Sequence, residues 1–209
     1  MRSVNARFAA AVVVLAVFCG VAAASAMAVP TTLCTLAMEK CEVGKRLGPS
    51  EVKASTTQVV FTNSVTKITC TSSSLTSKTK VESAEPLTAE IAAAPLYGGC
   101  TTAGGAGCTI KAVNAPYSTP IAWREANTAT LTLNNGGSGE PGINVECGFL
   151  IRCVFSGNIP YDFVGGGGAK LEVIAFKFTK LAGASCPAVA EITTVYGVTA
   201  PNPVYPAHT

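Results

Sequence analysis

Apolar and polar residues alternate along much of the chain, and the alternation is clearest from Gly142 to Phe155. Ile143, Val145 and Cys147 fall on one parity, and Asn144 and Glu146 fall on the other. The pattern resumes beyond Gly148, Phe149 and Leu150 with Ile151, Cys153 and Phe155. Successive side chains of a strand point to opposite faces, so this stretch predicts a half-buried hairpin with Cys147 facing Cys153. The same period predicts strands over 52–55, 58–63, 65–74, 109–114, 120–125, 129–133, 158–163 and 191–199. Residues 78–86 read as a polar arm, and 87–96, held between Pro86 and Pro95, as a strand rather than a helix. From 170 to 180 the polarity changes phase: Lys170 and Glu172 are polar at even positions, Lys177 and Thr179 at odd ones. A regular half-buried strand cannot do this, which places a β-bulge near Ile174 or Ala175, the alternative being a central strand buried on both faces. About ten short strands with turn signals between them predict an all-β fold, an antiparallel β-sandwich or partly open barrel.

The N-terminus breaks the pattern. Arg2 and Arg7 precede an apolar run from Phe8 to Val21 that ends in Ala24-Ser25-Ala26, the layout of a secretory signal cleaved after Ala26 or Ala28. The run is short of the ~20 residues that span a bilayer, so no membrane span is expected after cleavage. Residues 27–209 then form a single β domain ending in a short Pro-rich tail. Without Arg2 and Arg7 the 15 basic residues fall to 13 against 12 acidic ones. Such a near-neutral chain, its lysines scattered singly, excludes a nucleic-acid reader.

Of the 9 cysteines, Cys19 leaves with the signal. An even remainder behind a signal predicts four disulfides and an oxidising, secreted or extracytoplasmic setting. Short rings around turn-rich segments favour Cys34–Cys41, Cys100–Cys108 and Cys147–Cys153, and elimination then joins Cys70 to Cys186. A zinc site is not expected, because there is no C-x2-C and the one histidine, His208, falls in what reads as a frayed C-terminus.

Around V-T-K-I-T-C-T, C-T-I-K-A-V-N-A-P-Y, V-E-C-G-F-L-I-R-C-V-F and C-P-A-V-A-E-I-T-T-V-Y the chain resembles a group of secreted actinobacterial β proteins of unknown function. That resemblance implies the compartment and fold class but no activity. A fainter similarity, over Asn114 to Tyr117, is to alkane-oxidation activator-like secreted proteins, with Tyr117 where that family has tryptophan.

Little catalytic chemistry is on offer. Acids comprise eleven glutamates and Asp162, and any Ser-His-Asp or Cys-His device would have to use His208. A glycosidase needs two carboxylates across a cleft, for which Glu140, Glu146 and Glu172 are the candidates. Asp162 reads as a strand-end turn residue, and calcium would need clustered carboxylates. Tyr117 and Trp123, six positions apart with Arg124 next, would share a strand face on which a sugar ring could stack. The reading is therefore a secreted noncatalytic interaction or structural module of the cell exterior or envelope, with cell-wall or matrix polymer as its partner and no cofactor. The alternative is a secreted carboxylate-dependent hydrolase.

Overall fold

The computed structural model describes residues 29–137, 139–149 and 151–209; the expected signal segment lies outside them. The chain opens with β1 (Thr31–Cys34) and a 3-10 turn at Val43–Lys45. Eight legs then run up and down. The first is β2 (Glu51–Thr56) continued by β3 (Val59–Thr62), and the second is β4 (Lys67–Cys70) continued by β5 (Ser72–Thr79). After β6 (Ser83–Ala84) comes the third, β7 (Leu87–Ile91), β8 (Leu96–Gly98) and β9 (Cys100–Thr102). The fourth is β10 (Gly107–Val113) with β11 (Tyr117–Glu125), the fifth β12 (Thr128–Asn135) with β13 (Gly142–Cys147), and the sixth β14 (Ile151–Ser156) with β15 (Ile159–Val164). The last two legs are β16 (Lys170–Ala182) and β17 (Val189–Ala200), and the chain ends in β18 (Tyr205–His208).

The pairings close these legs into a barrel. In the lower half the circuit runs β2–β17–β16–β15–β12–β11–β7–β5 and back to β2, antiparallel throughout. In the upper half it runs β17–β3–β4–β9–β10–β13–β14–β16 and back to β17. Both circuits visit the legs in the same cyclic order, so the expected antiparallel all-β architecture is a meander barrel of eight interrupted legs, with more separate strands than the ten foreseen. Most legs break at the waist, where the upper and lower ladders meet. In β16 the break is the bulge foreseen from the polarity: Ile174 and Ala175 stand against Thr193 alone, between the pairs Val173–Thr194 and Phe176–Ile192. Ala175 takes φ 51° and its N–H donates to Thr193 Oγ1 at 3.0 Å.

The barrel is filled, as an eight-stranded one can be by side chains alone. One hydrophobic cluster runs from Leu87, Ile121, Phe163 and Leu171 below to Ile68, Ile110, Phe155 and Phe178 above. Threonine, serine and charged residues face outward, for example along the alternating β5 and β12. That is the reverse of the apolar-out, polar-in pattern of a membrane-spanning barrel. No described helix is long and apolar enough to cross a membrane.

A small sheet, β18–β1–β6, closes the lower end. Leu33 and Val204 from it join the main core, and Gly165 lies so close under β18 that a Cβ there would meet Tyr205 Cα at 2.7 Å. The Pro-rich tail is thus not frayed: Thr31 to Cys34 pair with His208 to Tyr205, and the His208 N–H donates to Glu39 O at 3.0 Å. Pro206 is compatible with this ladder because it shares the parity of His208, whose N–H turns away from β1 toward Glu39, so no β1 bond needs a donor at Pro206.

Of the expected disulfides, Cys34–Cys41 forms. The other three are corrected to Cys70–Cys100, Cys108–Cys147 and Cys153–Cys186, so Cys100–Cys108, Cys147–Cys153 and Cys70–Cys186 are not made. The cause is register. The tight turn centred on Phe149 sets Cys147 opposite Ile151, and Cys153 opposite Val145, one inward position away. Cys108 stands opposite both Cys100 and Cys147, and its sulfur bonds the latter. Each of the three corrected bridges joins neighbouring hairpins instead of closing one.

Candidate functional site

Tyr117 and Trp123 do share a face of β11, but it is the inner one. Thr119 and Ile121 between them are wholly buried, and Tyr117 is 1% exposed, with its hydroxyl donating to Val113 O at 2.6 Å. Trp123 lies lower and half-buried, under the small sheet. Its backbone N–H donates to Thr31 Oγ1 at 2.9 Å and its ring meets His208 edge-on at 5.0 Å between centroids. The open aromatic platform expected for sugar stacking is therefore not formed, and Trp123 serves as a contact between barrel and cap. Inside the barrel Tyr117, Tyr161 and Tyr196 form a buried group in which Tyr196 shares a 2.8 Å hydrogen bond with Ser73. Burial pushes the Tyr117 and Tyr196 phenols up to about 12, and it carries Tyr161, with help from its tyrosine neighbours, well above the ordinary value.

The carboxylates are used structurally. Glu140 accepts from Ser156 Oγ at 3.0 Å while its backbone oxygen accepts from Asn114 Nδ2 at 2.7 Å, which pins the loop before β13. Glu146 lies within 3.4 Å of Asn144 Nδ2. Asp162 and Glu172 oppose each other across β15 and β16, beside a shallow outer groove of about 540 Å³. Each is matched to its own cation, Asp162 to Arg124 at 3.0 Å and Glu172 to Lys170. Neither lies in the dry, apolar surroundings that hold a glycosidase acid protonated. His208 is fixed in the cap, and its ring Nδ1 contacts only the Thr209 carbonyl at 3.1 Å. Among the described residues no three or more His, Cys, Asp or Glu side chains are grouped to hold a metal ion.

The two barrel ends differ in a way the sequence pattern does not announce. The lower end carries the small sheet. At the upper end the turns of four hairpins, β3–β4, β9–β10, β13–β14 and β16–β17, emerge side by side, because alternate turns of a closed antiparallel meander fall at one end. Grooves lined by more than one turn confirm the grouping: one joins Val65, Ala106 and Phe149, another Phe149 and Ala184, a third Asn63 and Pro187.

The turns are shaped to hold apolar side chains in water. Asn63 Oδ1 accepts the N–H groups of Val65 and Thr66 at 2.8 and 2.9 Å, leaving Val65 70% exposed. Gly148 at φ 58° lifts Phe149 to the apex, 86% exposed. Thr102 Oγ1 accepts the Ala106 N–H at 3.1 Å. At the end of β16 Leu181 is 60% exposed, and in the turn that follows Gly183 at φ 108° packs where a Cβ would meet Cys186 Sγ and Arg152 O, so only glycine fits. Stretches 62–66, 101–107 and 181–190 contain no charged residue, nor do Gly148 and Phe149. Below the tips stand Lys67, Arg152, Lys177 and Lys180, against Glu146 and Glu191. Three disulfides bind the hairpins to one another around this end. None of Val65, Phe149 or Leu181 stood out in the sequence; the available signal, at Val65 and Phe149, was an apolar residue in a turn, where polar residues are usual. Comparison with protein-family models, with curated proteins and with solved structures finds no match to this chain.

Proposed function

We propose that the protein is a noncatalytic interaction module of an extracytoplasmic compartment, exported by way of residues 1–26, that makes its contact through the uncapped upper end of the barrel. Four disulfides belong to an oxidising setting, which supports the compartment. The observation that carries the contact surface is the group of uncharged hairpin tips with Val65, Phe149 and Leu181 in solvent. Exposed apolar residues scattered singly are ordinary, whereas several gathered at one end mark an interaction site. Paired carboxylates with matched cations favour this reading over a hydrolase.

The test is retention of the mature protein on cell-wall or matrix polymer and on envelope fractions. Wild type is compared with V65S/F149S and with D162N/E172Q, the folds being checked by circular dichroism. Retention that V65S/F149S loses and D162N/E172Q keeps supports the reading. Release of soluble fragments that D162N/E172Q abolishes would hand the protein to the hydrolase class.

A further inference from the structure

We propose that the partner of the barrel's upper end is a lipid surface bearing anionic headgroups, an inference that rests on that end being the contact surface. Three observations carry it. The tips hold apolar side chains and no charge, and the next layer holds Lys67, Arg152, Lys177 and Lys180 against two glutamates. That is the vertical order of an interface, where apolar groups enter the boundary of headgroups and acyl chains while cations stay at phosphate level. Lys67 is two residues beyond Val65 and Arg152 three beyond Phe149, so both cations lie within reach of the plane their tips would enter.

The second observation concerns dehydration. Unpaired backbone N–H groups are costly to take out of water. Here the Val65 and Thr66 amides are taken up by Asn63, the Ala106 amide by Thr102, and the Cys186 amide by Gly183 O at 3.2 Å. These four amides can therefore lose water while already bonded within the protein.

The third is rigidity. Bridges Cys70–Cys100, Cys108–Cys147 and Cys153–Cys186 chain the hairpins in order, so the tips are presented together and little ordering is left to do on contact. A sugar polymer would be better served by an aromatic platform, and Tyr117 and Trp123, expected to form one, lie on the inner face of β11.

Co-sedimentation with vesicles of phosphatidylcholine alone, and of phosphatidylcholine with phosphatidylglycerol, tests the proposal directly. Wild type should pellet with the anionic vesicles and much less with the neutral ones, and raising the salt from 0.05 to about 0.5 M should weaken binding as the Debye length shortens. K67Q or R152Q should each cost about fivefold, the equivalent of ~1 kcal/mol per basic residue near an anionic surface. V65S/F149S should cost at least about tenfold, since it removes the side chains expected to enter the interface. Equal pelleting of V65S/F149S and wild type, or no pelleting of wild type with anionic vesicles, overturns the proposal. Polymer retention measured in parallel separates the two readings. Tip-dependent polymer binding without vesicle binding sinks the lipid assignment and keeps the contact surface, whereas binding that ignores the tips on both supports sinks both.

Discussion

Removing the Cys108–Cys147 bridge should destabilise the protein more than removing Cys34–Cys41, and the margin follows from the chain. The bridges close residues 34–41, 70–100, 108–147 and 153–186, which succeed one another without overlap, so each ring constrains its own length of unfolded chain. With a sequence separation of 39, the Cys108–Cys147 ring is worth about 3.9 kcal/mol in the chain-entropy account, against about 2.5 kcal/mol for the separation of 7 in Cys34–Cys41. At roughly 2–4 °C per kcal/mol for a chain of this size, C108A/C147A should melt about 8–16 °C below wild type and C34A/C41A about 5–10 °C below. Packing losses narrow this margin, since Cys34 and Cys41 are more deeply buried than Cys108 and Cys147. Differential scanning calorimetry of both double variants, with wild type alongside, gives the comparison. Single variants are unsuitable: losing Cys147 frees Cys108 directly opposite Cys100, where exchange would release Cys70. A larger loss for C34A/C41A would refute the reasoning, and a native peptide joining Cys100 to Cys108 would refute the pairing on which it rests.

Alkaline pH should unfold the barrel through its tyrosines. Tyr117 and Tyr196 titrate near 12 in the fold and near 10 in the open chain, so they contribute stability that is complete below about 10 and lost as pH rises toward 12. The absorbance rise at 295 nm should coincide there with loss of the β circular-dichroism signal; early titration with the fold intact would contradict it. Gly165→Ala should cost about 1–3 kcal/mol by pushing β18 off the barrel, read as a lower urea midpoint, and no change would mean β18 yields freely. At the bulge, Ala175→Val should cost about 1–2 kcal/mol at its left-handed φ while Ala175→Gly is neutral or better; the reverse order in urea titrations would deny the strained conformation.

Local spacing made the alternation legible, and with it the fold class and the bulge at Ile174 and Ala175, which a slip in polarity suggested and the register shift in β16 bears out over a strand buried on both faces. Parity also placed Tyr117 and Trp123 together correctly, but parity names two faces without saying which is inside, and here the aromatic face is the inner one. The disulfides were misread for a related reason. A cysteine's neighbours across the sheet depend on register with the next hairpin, and sequence proximity favours the partner within the same hairpin. Tyr205 to His208 read as tail because their strand partner is β1, at the far end of the sequence. The upper-end site was illegible because it is a property of several distant turns at once.

Because Thr31 lies opposite His208 in the small sheet, anything joined before β1 or after Thr209 leaves the molecule on one side, beneath the barrel. Along the 13 residues of β16, at about 3.3 Å each, the apolar tips stand some 40 Å away on the other side. A tag at either terminus, bound to a sensor chip or a bead, therefore presents Phe149 and Val65 to solution. Crowding on the chip should leave their accessibility unchanged, whereas coupling through Lys67 or Lys177 would press the same end against the support.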